Sequence, residues 1–314
     1  MSTLRQSGTL LGFVLIVAFF AVQLPDTFLT ARNLINISQQ LSMLAVVAAT
    51  MTIVMVMGDF DLSVGSMASL AGIVAAIMFA GGYPVWAGLG AALLIGIAGG
   101  LFNGVLVSVL GILPFVATLG TLTVYSGAAF LISDGKTIFG RDIPEGFSGF
   151  ARAGVEMGGI AIPYLTITAI LVIAACWFLL EHTTFGRRLY AIGGNKEAAH
   201  LAGIKVVRLR VLAFALTGLG AAGAGLMYAA RVASANPTQG SGLMLDAIAA
   251  VFLGMTMSRQ GEPRVIYTLV GVLILGILDN GLTQLRVDSY VREILVGLIV
   301  IAAVAVASLS KRGR

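Results

Sequence analysis

Apolar runs of roughly 17–25 residues, each long enough to cross about 30 Å of hydrocarbon, recur along this chain from end to end. Runs of that length leave few folds open. In lipid every backbone N–H and C=O must be satisfied within the protein, so only helices and closed barrels cross a bilayer. A barrel would read as alternating segments of about ten residues, and no such alternation is present. Only 11% of the 314 residues are charged, against about 25% in a soluble domain. The chain is therefore read as an all-α polytopic membrane protein, a single transmembrane domain over residues 1–314.

The pattern predicts spans near 9–24, 41–57, 66–81, 85–109, 113–132, 162–180, 209–230, 242–257, 265–284 and 291–309, about ten in all. The first follows Arg5 like a signal-peptide core, but no small-residue cleavage site follows it, so it is read as a retained span. With both termini inside, the cytoplasm receives twelve of the 19 basic residues: Arg5, Arg187, Arg188, Lys196, Lys205, Arg208, Arg210, Arg259, Arg264, Lys311, Arg312 and Arg314. The outside receives the other seven, Arg32, Lys136, Arg141, Arg152, Arg231, Arg286 and Arg292. That bias predicts N-in, C-in topology. It also accounts for the net charge of +5 without a nucleic-acid partner. The one cysteine, Cys176, excludes an intrachain disulfide and sits in an apolar run as a small packing residue.

Three polar interruptions stand out. The basic stretch 181–208 is expected in the cytoplasm. Within it a Gly193-Gly194-Asn195 turn precedes a short helix, with Asn195 as N-cap and Gly203 as C-cap residue. A short capped helix between two spans is either a docking element or a solvated loop. The loop 133–161 is the longest on the outside, offering a docking surface or simply solvated. Residues 25–40 place Leu34, Ile37 and Leu41 at helical spacing among Asn and Gln, as in an amphipathic segment along the outer interface.

Polar side chains in or beside the spans are the other candidates. Asp59, Asp61, Ser63 and Gly65 lie where one span ends and the next begins. Ionisable groups at membrane depth are functional candidates, while Asp61 or Ser63 could equally cap the helix starting near Val64. Asn103, Asp246, Asp279, Asn280, Thr283 and Gln284 either line a polar path or bond between helices. Small residues four apart, Gly96, Gly100 and Gly104, and likewise Gly218 and Ala222, suit close helix packing. No metal-ligand cluster and no phosphate-binding loop of the G-x-x-x-x-G-K-[ST] type occurs.

Four stretches carry a more specific likeness. GDFDLSVGSMASLAG at 58–72, TTFGRRLYAIGGNKEAAHLAGI at 183–204, ANPTQGSGLMLDAIAAVFLG at 235–254 and ILGILDNGL at 274–282 resemble the permease subunits of bacterial sugar ABC importers of the ribose, arabinose and xylose class. The resemblance covers nearly the whole chain. It implies the type II (vitamin B12 importer-like) permease fold and a multi-pass subunit of the bacterial inner membrane. It also implies alternating-access transport of a monosaccharide or related polyol. The expected partners are cytoplasmic ABC ATPase subunits, which bind the MgATP, a periplasmic sugar-binding protein, and a second permease copy or related permease. This chain would carry no cofactor and no catalytic site of its own. Gly194, Asn195, Glu197, Ala198, Ala199 and Gly203 would form the coupling helix that fits a cleft on the ATPase, with Asp59, Asp61, Ser63 and Gly65 a conformational motif. The chain departs from the family after Gly254, where a usually glycine-rich loop reads MTMSRQGEPR. A self-contained secondary carrier or channel for a small polar solute is the alternative, and an intramembrane enzyme would need a catalytic cluster that is not seen.

Overall fold

The computed structural model describes residues 2–258 and 260–312. Arg259 and Arg314, both counted toward the charge bias, lie outside the described residues. The first half of the chain forms helices α1 (Ser2–Gln23), α2 (Ala31–Met55), α3 (Val64–Ala80), α4 (Val85–Ser108) and α5 (Pro114–Ser133). Next come strand β1 (Ile138–Phe139), helix α6 (Glu145–Arg152) and a hairpin of β2 (Gly154–Met157) and β3 (Ile160–Pro163). The second half holds α7 (Tyr164–His182), α8 (Thr184–Gly194), α9 (Lys196–Leu201), α10 (Val206–Val232), β4 (Ser234–Ala235), α11 (Leu243–Met257), α12 (Val265–Gln284) and α13 (Ser289–Arg312). Among the described residues six helices, α2, α4, α5, α7, α10 and α12, are long and apolar enough to cross a membrane. Thr9–Gln23, α3 and α11 are shorter apolar helices.

Helix α2 is the hub. Every residue from Leu41 to Met57 is buried, and α7, α10, α11 and α12 all pack against it. Helix α10 joins it to α3 and α4. The α4–α10 contact is made backbone to backbone. A Cβ on Gly100 would strike the Phe214 carbonyl, one on Gly218 would strike the Gly96 carbonyl, and one on Gly104 would lie 2.7 Å from the Val211 Cα. The two small-residue rows read from the sequence thus face each other. Lipid gives helices no hydrophobic reason to associate, so close approach and dispersion supply the attraction.

Three expectations change. Residues 31–40 are not a separate amphipathic segment but form the first turns of α2, with Thr30 accepting the Asn33 N–H at 3.3 Å as N-cap. Their polar side chains are bonded to other parts of the fold: Ser38 to Thr166, Gln39 to the Ala151 carbonyl, and Gln40 to Asp279. Helical spacing was right, and interhelical partners rather than water explain the polarity. The Gly193-Gly194 pair is not a turn, because α8 runs through Gly194. Residues 133–161 are neither open nor simply solvated. They fold into α6 and the β2–β3 hairpin, with Phe147 buried against Phe79 at 5.0 Å between ring centroids, while β1 pairs with β4.

Gly218→Ala should overpack the α4–α10 contact and destabilise the purified protein by about 1–3 kcal/mol. Gly90→Ala, where a Cβ meets nothing within 4 Å, should leave the thermal transition unchanged. Equal transitions for the two variants would refute the contact.

Candidate functional site

Below the C-terminal end of α2 the chain leaves helical geometry at Gly58, whose φ is +80°, and runs irregularly to the start of α3. Two buried polar groups hold this segment. The Asp59 carboxylate takes a bidentate ion pair from Arg210, with Nε and one terminal nitrogen each donating at 2.7 Å. Both side chains are nearly inaccessible. Parallel N–H donors match a carboxylate better than any single point charge does. Asp61, also buried, accepts the Ser63 N–H at 2.9 Å and the Ser63 hydroxyl at 2.6 Å. Asn103 of α4 donates to Ser63 Oγ at 2.8 Å and approaches both Asp61 oxygens at 3.4 Å. Its own Oδ1 is buried without a partner among the described residues. Ser63 occupies the N-cap position of α3 but makes no side-chain cap bond. The role of Asp61 is instead an Asx-type bond to the residue two ahead. Gly65 follows within the first turn of α3, buried.

The polar stretch 183–204 folds into two helices directly beneath this cluster. Thr183 caps α8 by accepting the Gly186 N–H at 3.3 Å. The buried face of α8 is Gly186, Leu189 and Ile192, and a Cβ on Gly193 would run into the Val56 carbonyl. The backbone of α8 therefore rests on the end of α2. Asn195 Oδ1 accepts the Ala198 N–H at 2.9 Å, capping α9. At the other end Ile204 N–H donates to Ala199 O and Gly203 N–H to His200 O, both at 3.0 Å. With Gly203 at φ +80°, this is the Schellman arrangement of a C-terminal cap. Ala199 is buried, whereas Gly194, Glu197, Ala198 and Gly203 are exposed. Leu201 is 86% exposed, a large apolar side chain at the tip of a helix otherwise well anchored.

A tyrosine ties the atypical loop to this layer. The Tyr190 hydroxyl of α8 lies 3.0 Å from Glu181 Oε1 and 3.1 Å from the Pro263 carbonyl, and Arg264 pairs with Glu181 at 3.2 Å. Burial, then the neighbouring Glu181 charge, pushes the Tyr190 phenol above its ordinary range, so it remains a neutral donor.

The remaining polar candidates gather at the opposite end of α2. From Gln40 to Val56 is roughly 24 Å at 1.5 Å per residue. Asp279 pairs with Arg292 and accepts from Gln40 Nε2 at 2.6 Å. Asp246 and Asp279 line a cavity of about 480 Å³ with Arg231, Arg292 and Glu293. Asn280 exchanges hydrogen bonds with Asn33 at 3.1 and 3.2 Å and accepts from Gln284 at 2.8 Å. Thr283 donates to the Asp279 carbonyl and accepts from Arg292. Asn103 belongs to the other end, with Asp61. The structure therefore divides these candidates into two clusters joined by α2.

Residues 33–304 match the model of the family described as branched-chain amino acid transport system / permease component. The chain belongs to this family. It is similar to the ribose import permease protein RbsC of Bacillus subtilis, 39% identical over 306 residues, covering 96% of this chain and 92% of that one. The Escherichia coli ribose import permease protein RbsC is 37% identical over 303 residues, 96% of this chain and 94% of that protein. The Escherichia coli L-arabinose transport system permease protein AraH is 36% identical over 300 residues, 95% and 89% of the two chains. No solved structure matches the chain. The permease is a multi-pass protein of the bacterial inner membrane, as its relatives and its apolar helices together require.

Sequence reading of this permease missed one central partner. Arg210 is counted among the cytoplasmic basic residues that set the topology, yet it is buried in the first turns of α10. The available signal was weak: an arginine flanked by Leu209 and Val211, 151 positions from its carboxylate. Arg210→Met alone should leave Asp59 buried and unpaired and cost about 3–5 kcal/mol. Asp59→Leu combined with Arg210→Met should recover most of that loss in thermal unfolding of the purified permease. A double variant no more stable than the single would show that the ion pair is not the reason.

Proposed function

We propose that this permease is the membrane-spanning subunit of an ATP-driven importer for a monosaccharide or related polyol. What carries the reading is its likeness, over 96% of the chain, to proteins named for ribose import, supported by relatives named for D-allose and L-arabinose transport. In this reading helices α1–α5, α7 and α10–α13 cross the bilayer as a type II permease with both termini in the cytoplasm. Two permeases, this chain with a copy or a related chain, pair in the membrane. Partner ATPases hold MgATP, and a periplasmic binding protein delivers the sugar.

The exposed face of α9 is the surface offered to the ATPase. Its build suits a docking helix, because buried Ala199 seats α9 on the protein and the two caps fix its ends, while Glu197, Ala198 and Leu201 face outward for a partner. Force on α9 passes to α8 and from its Gly193 backbone to the end of α2. There it meets the Asp59–Arg210 clasp between the α2–α3 segment and α10. ATP binding shifts transport only in so far as the docked ATPase favours one permease conformation over the other. The contact of α9 with the partner is thus where the energy enters. Affinity for the sugar resides mainly in the external binding protein, since a solute held tightly in the membrane would not be released.

Glu197→Ala and Gly203→Val should reduce ATP-driven uptake in proteoliposomes at least about tenfold, a coupling loss of roughly 1.4 kcal/mol or more, with membrane insertion unchanged. Wild-type uptake by both variants would remove α9 from the coupling role. Uptake driven by a proton or sodium gradient without any ATPase would make the protein a self-contained carrier.

A further inference from the structure

Residues 236–242, between α10 and α11, carry non-helical backbone into the bundle. Gln239 Nε2 donates to the Gly225 carbonyl at 3.3 Å, and Gly225 lies roughly 10 Å along α10 from its end at Val232. The Gly240 N–H donates to Ser69 Oγ at 2.9 Å. Gly240 and Gly65 approach so closely that a Cβ on either would strike the carbonyl of the other. In a membrane, backbone of this kind persists only where it is buried in protein or lines a cavity. Here it does both, because the first turns of α3 and α11 are drawn together beside α5 and leave a cavity of about 140 Å³ between them.

The lining of this cavity has a distinct chemistry. Most of the surface facing the cavity is apolar, from residues such as Leu122 and Met244, with hydroxyls of Ser126, Thr238 and Ser241 interspersed and no charged side chain taking part. Ser66 donates to the Ser63 carbonyl and Thr238 to Asn236 Oδ1. The hydroxyls of Ser126 and Ser241 have no protein partner among the described residues. The cavity on the other side of the same segment, lined by Gln239 and Gly242, differs in having Arg231, Asp246, Asp279, Arg292 and Glu293 in its wall.

Hydroxyl groups both donate and accept, so such a lining exchanges water for sugar hydroxyls with little net change. The apolar side chains suit the C–H face of a sugar ring. A charged solute would lose its hydration there without gaining a counter-charge. An enclosed apolar cavity of about 150 Å³ holds benzene, so a space of about 140 Å³ takes one face or edge of a sugar ring and leaves the rest of the molecule outside it. We propose that the pocket between α3, α5 and residues 236–242 is a weak-binding subsite for a neutral polyhydroxylated solute, a pentose or hexose. As a station in transport it rests on the importer reading, whereas its occupancy by sugar can be measured without it.

The full chain, in lipid nanodiscs and carrying Cys176→Ser in place of its one cysteine, permits a direct test. S126C and S241C are labelled separately with a maleimide, with and without D-ribose, L-arabinose or D-allose. At least one sugar should slow labelling at both positions by about threefold or more, as mass action at a shared site requires. Sodium glutamate should not, and L201C on α9 should be unaffected by any of them. Equal rates with and without every sugar at S126C and S241C, or equal slowing at L201C, would overturn the subsite. ATP-driven uptake of the same sugars by the assembled complex separates the two readings. Uptake without protection discards the pocket and keeps the importer, and protection without uptake does the reverse.

Discussion

The backbone contact between α4 and α10 is the interaction on which the rest of the structure depends. With no side chain at Gly96, Gly100 or Gly218, the two helices meet at the distance set by their main chains. That approach fixes the position of Arg210 at one end of α10 and of Asn103 on α4. The α2–α3 segment then has two anchors, an ion pair through Asp59 and hydrogen bonds through Asp61 and Ser63. A larger residue in the α4–α10 seam would displace both anchors together.

Helix α2 links the two polar ends of the protein. At one end its terminus touches α8 and, through it, the exposed α9 helix. At the other, Gln40 joins Asp279 beside the charged cavity. A close-packed helix buried on all sides transmits displacement better than it absorbs it. That property suits the coupling proposed above, in which a displacement of α8 reaches the far end of α2. Two of the charges, Asp59 and Asp279, are paired with Arg210 and Arg292 near the two ends of α2, where they limit conformational change.

The segment that follows α11 is tied back into the chain by its last residues. Arg264 and the Pro263 carbonyl reach Glu181 and Tyr190, so the loop belongs to the same layer as α8. The segment therefore makes a contact inside this chain, between α7, α8 and the start of α12.

The sequence by itself determined the helices, because the length of an apolar run and the need to satisfy backbone groups in lipid leave no other local solution. Each of the predicted apolar runs coincides with a helix. It also determined the caps of α9, since Asn195 and Gly203 act on groups within a few residues of themselves. What only the tertiary structure decided is which polar group meets which. Asp59 finds Arg210 across 151 positions, Asn33 finds Asn280 across 247, and Gly240 closes on Gly65 to shape an uncharged pocket. No periodicity encodes these pairs. They follow from helix packing in three dimensions, where a buried donor or acceptor takes whatever partner the neighbouring helix brings within reach.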